Sequence, residues 1–180
     1  SVLLLCLWLI GSACSSTDSD VLPTDDAQDE TSTVALAEHI IFVAVEGDSA
    51  LAAIHGETGA LLAVVDLSVE EHGAKTLFAA HNVQVDPSGR TAWLTAMPIA
   101  DDGGHIHGDG SDQLVGVDVA TLAVTARITL GPGLHAAHVV IFESTAYVTA
   151  SDADQVLIVD LVGQKVQRIL SLPQGSYPHG

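Results

Sequence analysis

From residue 38 onward, short apolar runs alternate with turns rich in Gly, Asp and Ser. The runs are rich in Val, Ile and Leu, and each is about as long as a typical strand. Three stretches, which begin at Phe42, Ala92 and Ala146, repeat the order strand, short turn, strand, short turn, strand. This pattern predicts an all-β domain over residues 38–180.

A fourth strand precedes the second and third stretches. It begins at His81 and at His138, and Pro178-His179-Gly180 has the form of one more beginning. Four strands per unit, repeated along a chain, is the signature of a β-propeller blade. The number of residues from His138 to His179 fits a propeller repeat of about 40–45 residues. An insertion after Met97 lengthens the preceding repeat. A β-sandwich built from the same hairpins is the alternative.

The third stretch carries the most specific motif. Its parts are Tyr147-Val148-Thr149-Ala150, the strand over 155–160 and Pro178-His179-Gly180. Together they resemble the YVTN-type β-propeller repeat family. That family has a Tyr-Val-Thr-Asn strand, a Val-x-Val-Ile-Asp strand and a Pro-His-Gly restart, so Ala150 departs from it. The resemblance implies about three four-stranded antiparallel blades within residues 38–180. They would be part of a longer propeller of about seven blades, since a ring needs roughly four to eight blades to close.

The first residues have the form of an export signal. An apolar run over 2–10 is too short to span a bilayer, and small residues follow it, as in a secretory signal whose positively charged start is missing. Ser12-Ala13-Cys14 resembles the lipobox of bacterial lipoproteins, in which the cysteine becomes the lipidated first residue. Gly11 stands where that family usually has Leu, so cleavage by an ordinary signal peptidase is the alternative. We predict a signal peptide over 1–13 and lipidation of Cys14.

Residues 14–37 predict an acidic, disordered tether. This segment carries Asp and Glu but no Lys or Arg, and it cannot bury enough apolar area to offset its ordering entropy. Charge repulsion extends such a linker. We therefore expect an exported protein of the bacterial cell envelope, in the periplasm or at the outer membrane, with the membrane as a partner through the lipid anchor.

The charge of the chain excludes one class of partner. Lys and Arg total 5 and Asp and Glu total 23, which gives a formal net charge of −18. A chain this acidic repels phosphate backbones, so we expect no nucleic-acid binding. A protein or a small-molecule ligand is the expected partner.

Histidines are the main candidates for chemistry, since nine of them accompany only five Lys and Arg. His81, His138 and His179 each open the first strand of a unit, and that strand lines the channel of a propeller. A ring of imidazoles there would bind a divalent metal. The alternative is structural, with each imidazole bonded to the backbone of a neighbouring blade, because repeats of the resembling family carry this histidine widely without a metal.

The insertion after Met97 is the second candidate metal site. Its possible ligands are His105, His107 and Asp109. A His-x-His pair on an extended segment places both rings on one side, which suits zinc or copper. A polar surface loop is the alternative. The pair His135-x-x-His138 could add further ligands.

Three functions remain open. The first is a tethered propeller that binds a ligand or a protein as a non-catalytic scaffold, and it leads because no specific catalytic motif is present. The chain has no Gly-x-Ser-x-Gly elbow and no Cys-x-x-Cys-His haem attachment. The other two are a periplasmic metal- or haem-dependent oxidoreductase and a lactonase-like hydrolase with a metal-activated water.

Overall fold

Short β-strands dominate the residues that the computed structural model describes, 39–99 and 110–180. In chain order the strands are β1 Ile40–Val45, β2 Ala50–His55, β3 Leu61–Asp66, β4 Val69–Glu71, β5 Ala74–Thr76, β6 Phe78–Val85, β7 Thr91–Pro98, β8 Ser111–Asp118, β9 Val124–Pro132, β10 Ala136–Phe142, β11 Thr145–Ala150, β12 Gln155–Asp160 and β13 Lys165–Ser171. One 3-10 turn, Glu46–Asp48, joins β1 to β2. No helix in these ranges is long and apolar enough to cross a membrane.

The strands form antiparallel sheets in which neighbours along the chain are neighbours in the sheet. The second sheet has the order β6-β7-β8-β9 and the third has the order β10-β11-β12-β13. The first sheet has three described strands, β1-β2-β3. The all-β, blade-like architecture predicted from the repeats is therefore confirmed. The expected fourth strand of the first sheet is not among the described residues.

A small hairpin, β4-β5, lies between the first and second sheets in the chain. Its two-residue turn is His72-Gly73, and both residues have positive φ, 51° and 80°. Two positive φ values are what a type I′ turn requires, and that turn suits the twist of a tight hairpin. The repeat pattern does not predict this hairpin, because its strands are short and mostly polar.

Each face of the second sheet packs against a neighbouring sheet. Successive residues of a strand point to opposite faces, so Trp93 and Leu94 of β7 belong to two different hydrophobic clusters. Leu94 packs with Leu51 and Val65 of the first sheet. Trp93 packs with Val148 of the third sheet, among others.

Polar side chains of the second sheet also bind the backbone of the third. The Asn82 Oδ1 accepts a hydrogen bond from the Val139 amide at 3.0 Å, and the Gln84 Oε1 accepts one from the Ile141 amide at 3.0 Å. The buried Thr95 hydroxyl donates to the Ala137 carbonyl at 2.9 Å. These bonds hold the inner strands β6 and β10 side by side.

The outward faces of the first and third sheets remain apolar and exposed. On the third sheet, Val140 is 59% exposed and Phe142 is 65% exposed. On the first sheet, Val43 and Val64 lie in one cross-strand row through Ala52, and both are exposed. A contiguous apolar sheet face of this kind marks a surface that another element covers.

We expect residues 38–180, expressed alone, to associate through these faces. The mass measured by light scattering after gel filtration should exceed that of a monomer and rise with concentration. The double variant Val140→Lys/Phe142→Lys should shift the fragment toward monomer, because a charge cannot be buried unpaired.

Val162→Lys is the matched control, since Val162 lies in a turn and is 81% exposed. It should leave the association unchanged. A monomeric fragment with one sharp thermal transition would contradict the prediction.

Candidate metal centre

Four histidines meet beside strands β6 and β10. We call His81, His135, His138 and His179 the histidine cluster. The ring centroid of His179 lies 5.2 Å from that of His81 and 4.9 Å from that of His138, and the His81 and His138 centroids are 5.6 Å apart. His135 completes the cluster at 5.9 Å from His81 and 6.3 Å from His179. All these ring pairs are edge-on.

Four separate segments supply these side chains. His81 lies in β6, and His138 lies in β10. His135 lies in the connection from β9 to β10, and His179 follows β13. The cluster therefore forms only when the second sheet, the third sheet and the segment after β13 come together.

His81 and His138 are not equivalent positions of the repeat, contrary to the sequence-based expectation. The pairs Ala80–Ala96 and Ala136–Ala150 occupy matching places, and each is followed by a β-bulge. His81 is the first residue after its alanine, whereas His138 is the second after its own. Matching hydrogen bonds agree, since the Asn82 amide donates to the Thr95 hydroxyl and the His138 amide donates to the Thr149 hydroxyl. The bulges direct the two imidazoles differently.

Three of the four histidines have the spacing of metal ligands. One ring nitrogen from each of His81, His135 and His179 lies within 4.8 Å of the other two. Ligand nitrogens about 2.1 Å from a tetrahedral zinc lie about 3.4 Å from one another. The three nitrogens would therefore have to approach one another further to bind one ion. We call these residues the three-histidine set.

Two buried imidazole nitrogens have no hydrogen-bond partner among the described residues. They are the Nδ1 atoms of His81 and His138. The structural alternative requires these rings to bond to the backbone of a neighbouring sheet, but Asn82, Gln84 and Thr95 provide those bonds. A buried polar atom without a partner is unfavourable by about 1–3 kcal/mol. Buried ring nitrogens without a partner suit a ligand better than packing alone.

The turn between β11 and β12 fixes two of the ligand-bearing segments. The amide of the buried Ser151 donates to the His135 carbonyl at 3.1 Å, and its hydroxyl donates to the Pro178 carbonyl at 2.8 Å. The Asp154 carboxylate accepts the amides of Gly175 at 2.7 Å and Tyr177 at 2.9 Å. These hydrogen bonds hold the pKa of Asp154 below its usual range.

Carboxylates support His135 from two sides. The fully buried Asp112 accepts the Ala136 amide at 2.8 Å, which fixes the backbone next to His135. His135 itself has a φ of 51°, a left-handed conformation that is unfavourable for non-glycine residues. Its Nδ1 lies 3.7 Å from Asp152 Oδ1. A carboxylate near one ring nitrogen is the usual partner of a histidine whose other nitrogen binds a metal.

The environment of His81 favours its neutral form. Burial is the main reason that the pKa of His81 lies below its usual value of 6.5, and the neighbouring imidazoles lower it further. The negative charge of Glu46, in the turn between β1 and β2, opposes the shift. A neutral imidazole is the form that binds a metal.

The structure brings together some of the residues predicted from the sequence. His81, His138 and His179 are in one cluster, but His138 is not a member of the three-histidine set, and His135 is. The sequence had indicated His135 only as a possible further ligand, through its spacing from His138. The second predicted site, with His105, His107 and Asp109, lies outside the described residues, as does Cys14 with the signal peptide over 1–13 and the tether over 14–37.

Comparison with known proteins identifies the fold. No family model and no curated protein sequence matches the chain. Among solved structures, hydrazine synthase from Kuenenia stuttgartiensis aligns with a TM-score of 0.55 and 14% identity, over 74% of this chain and 33% of its own. A candidate 6-phosphogluconolactonase from Bacteroides fragilis aligns with a TM-score of 0.52 and 16% identity, over 76% and 41%. A protein from Lactobacillus plantarum aligns with a TM-score of 0.52 and 14% identity, over 77% and 41%.

At this identity the likeness shows the fold alone, and the fold is a β-propeller. The chain spans 33–41% of the length of these structures. The three sheets are therefore blades of a propeller, and the histidine cluster lies beside β6 and β10, the first strands of the second and third blades.

The lowered pKa of His81 predicts that stability depends on pH. In the unfolded chain His81 takes up a proton near pH 6.5, whereas in the folded chain it resists protonation to lower pH. Below pH 6.5 the unfolded state therefore binds more protons, and the free energy of unfolding should fall as pH falls. Urea unfolding at about pH 7.5 and about pH 5.5 measures this difference.

His81→Gln should reduce the difference, because it removes the group whose pKa is lowered. In the metal-free protein, NMR should place the titration midpoint of the His81 ring below 6.5. A midpoint at or above 6.5 would refute the lowered pKa.

Proposed function

We propose that this protein is a β-propeller scaffold of the cell envelope that binds a divalent transition-metal ion at the histidine cluster. The observation that carries the proposal is the spacing within 4.8 Å of three imidazole nitrogens from His81, His135 and His179. The unpartnered Nδ1 atoms of His81 and His138 and the carboxylate beside His135 support it.

The chemistry of the ligands points to the class of metal. The three-histidine set contains imidazoles and no carboxylate. Imidazole suits zinc, copper and nickel, whereas calcium and magnesium prefer oxygen ligands. Zinc and copper are therefore the expected ions.

Metal binding should depend on the three-histidine set. Isothermal titration of the whole chain with Zn²⁺ and with Cu²⁺ should show a tight site, which the variants assign to the cluster. Replacement of His81, His135 or His179 by Ala should weaken that site on the order of 100-fold, because each ligand supplies a large share of the binding free energy of a structural zinc site.

His72→Ala is the matched control, because His72 is exposed and lies on the β4-β5 turn. It should leave the affinity of the cluster unchanged. His105→Ala/His107→Ala tests the insertion separately. If wild type shows no stoichiometric binding, or if His72→Ala weakens the site as much as His81→Ala does, the proposal fails.

A metal-dependent hydrolase is the second candidate, and one observation favours it. Three protein ligands with a further position left for water is the arrangement of catalytic zinc sites, whereas structural sites have four protein ligands. A bound zinc would lower the pKa of its water and supply a nucleophile for an ester or a lactone. Lactone hydrolysis that appears with zinc, disappears with a chelator and is lost in His179→Ala would favour this candidate over the scaffold. A redox role would instead require copper at the same site.

Attachment to the cell envelope rests on the sequence of the first residues. We propose that Cys14 carries the lipid and that the acidic tether holds the propeller away from the membrane. Expressed in a bacterium behind a short basic start, the chain should incorporate labelled palmitate and partition into detergent.

Cys14→Ser should abolish both the labelling and the partitioning, since stable anchoring needs buried acyl chains. Cys6→Ser is the matched control and should change neither, because Cys6 would leave with the signal peptide. Labelling that survives in Cys14→Ser would contradict the assignment.

A further inference from the structure

We propose that a groove between the second and third sheets binds a small organic cation, an alkylammonium group, beside Asp86 and Glu143. We call this cavity the acidic groove. It lies past the carboxyl ends of β6 and β10, whereas His81 and His138 lie in the first half of those strands. The proposal is therefore independent of the metal site.

The acidic groove has a volume of about 490 Å³ and is open to solution. The turn from β6 to β7 and the start of β7 form one wall, and the turns after β10 and after β12 form the other. The Leu161 amide donates to the Ser144 carbonyl at 3.0 Å, which joins the two turns of the second wall. A volume in this range is ordinary for a site that binds a small molecule.

Contact between the inner strands places a carboxylate on each wall. The Gln84 Oε1 accepts a hydrogen bond from the Ile141 amide at 3.0 Å, so β6 and β10 lie side by side near their ends. Asp86 follows the end of β6, and Glu143 follows the end of β10. Both acidic residues line the groove, and its described lining includes no Lys, Arg or His.

The two carboxylates differ in what binds them. Burial alone would raise the pKa of Asp86, but hydrogen bonds from the Ser88 hydroxyl at 2.7 Å and the Arg90 amide at 3.2 Å outweigh it and lower the pKa. Asp86 therefore supplies a fixed negative charge. The side chain of Glu143 makes no hydrogen bond or ion pair within the described ranges. Glu143 is thus the acceptor for the N–H groups of a ligand.

An aromatic ring forms the bottom of the acidic groove. Trp93 lines the groove although it is only 6% exposed. Its ring lies against β8, where a Cβ at Gly116 would come within 3.0 Å of Trp93 Cζ3. Indole is the side chain whose ring attracts cations most strongly. Leu161 and Val162 offer apolar contact for the alkyl part of the ligand.

The charge of the whole chain favours the same class of ligand. The net charge of −18 attracts cations from solution and repels anions. An alkylammonium ion combines a charge for the two carboxylates with an apolar body for the indole and the aliphatic side chains. A neutral or an anionic molecule of the same shape lacks the first of these interactions.

The test uses the whole chain with Trp8→Phe, which leaves Trp93 as the only tryptophan. n-Butylammonium should change the fluorescence of Trp93 and saturate at millimolar concentration, and calorimetry should give the same midpoint. 1-Butanol and butyrate carry the same alkyl chain and should bind at least tenfold more weakly. Added NaCl should weaken the binding of n-butylammonium, because salt screens exposed charges.

Two variants of Glu143 separate binding from folding. Glu143→Gln should weaken binding on the order of tenfold, as expected when one hydrogen bond between charged groups is lost. Glu143 has a φ of 53° in the two-residue turn from β10 to β11, a conformation that favours glycine. Glu143→Gly should therefore weaken binding as much without lowering the thermal stability.

A charge added at the rim and a charge removed elsewhere complete the test. Val162→Lys should also weaken binding, because Val162 is 81% exposed and lines the groove, so that the new ammonium group competes with the ligand. Glu71→Gln is the matched control. It makes the same change in net charge as Glu143→Gln, but on the exposed strand β4, and should leave binding unchanged.

Each outcome decides the proposal. Saturable binding that is weakened in Glu143→Gln and Glu143→Gly but kept in Glu71→Gln supports it. Absence of binding in both fluorescence and calorimetry overturns it, as does binding of 1-butanol as tight as that of n-butylammonium. Equal weakening in Glu71→Gln would show a diffuse attraction by the net charge and would overturn the site. None of these results bears on the metal site, which the histidine variants test.

Discussion

The fold depends on the apolar residues that each of the three larger described sheets presents on both faces. In a soluble protein such a sheet is stable only between two neighbours, since each face loses favourable burial when it meets water. The second sheet meets this requirement, with Leu94 packed toward the first sheet and Trp93 toward the third. Stacking in this manner also fixes where the inner strands lie. Because β6 and β10 are neighbours, His81 of β6 and His138 of β10 are brought close together, so this pair of the histidine cluster is a direct consequence of the packing.

Sheet packing alone does not explain why the buried Nδ1 atoms of His81 and His138 have no hydrogen-bond partner among the described residues. Asn82, Gln84 and Thr95 satisfy backbone groups across the interface between the second and third sheets. Short polar side chains thus hold the blades together, and the histidines beside them are not needed for that purpose. The Ser151 turn and the buried Asp112 then fix the backbone on which His135 and His179 are carried. Such support of the backbone that carries clustered imidazoles is typical of a site that receives a ligand.

The sequence was sufficient to predict the blades but not the local geometry of the cluster. Alternation of Val, Ile and Leu with turns specified β7 to β9 and β11 to β13, because period-two patterns and turn residues are local signals. The β4-β5 hairpin has no such signal, since its turn depends on the positive φ of His72 and Gly73 rather than on apolar residues. The different roles of His138 and His135 could not be predicted either. They depend on bulges that shift the register by one residue and on a left-handed residue in a connection, and single-sequence patterns show neither feature.

The cluster is unfavourable without a ligand, and this is the strongest reason to regard it as a site. Two buried nitrogens without partners each disfavour the folded state by about 1–3 kcal/mol. The left-handed conformation of His135 adds roughly 1–2 kcal/mol. Replacement of His81 by an apolar residue would remove part of this penalty if the cluster served packing alone. A metal ion would instead give the unpartnered nitrogens a partner, and imidazoles that are already close together have less to lose when they coordinate. Because the ligands come from two blades and from the segment that follows them, the same ion would also join these parts of the chain, so that metal affinity and blade stability would be coupled.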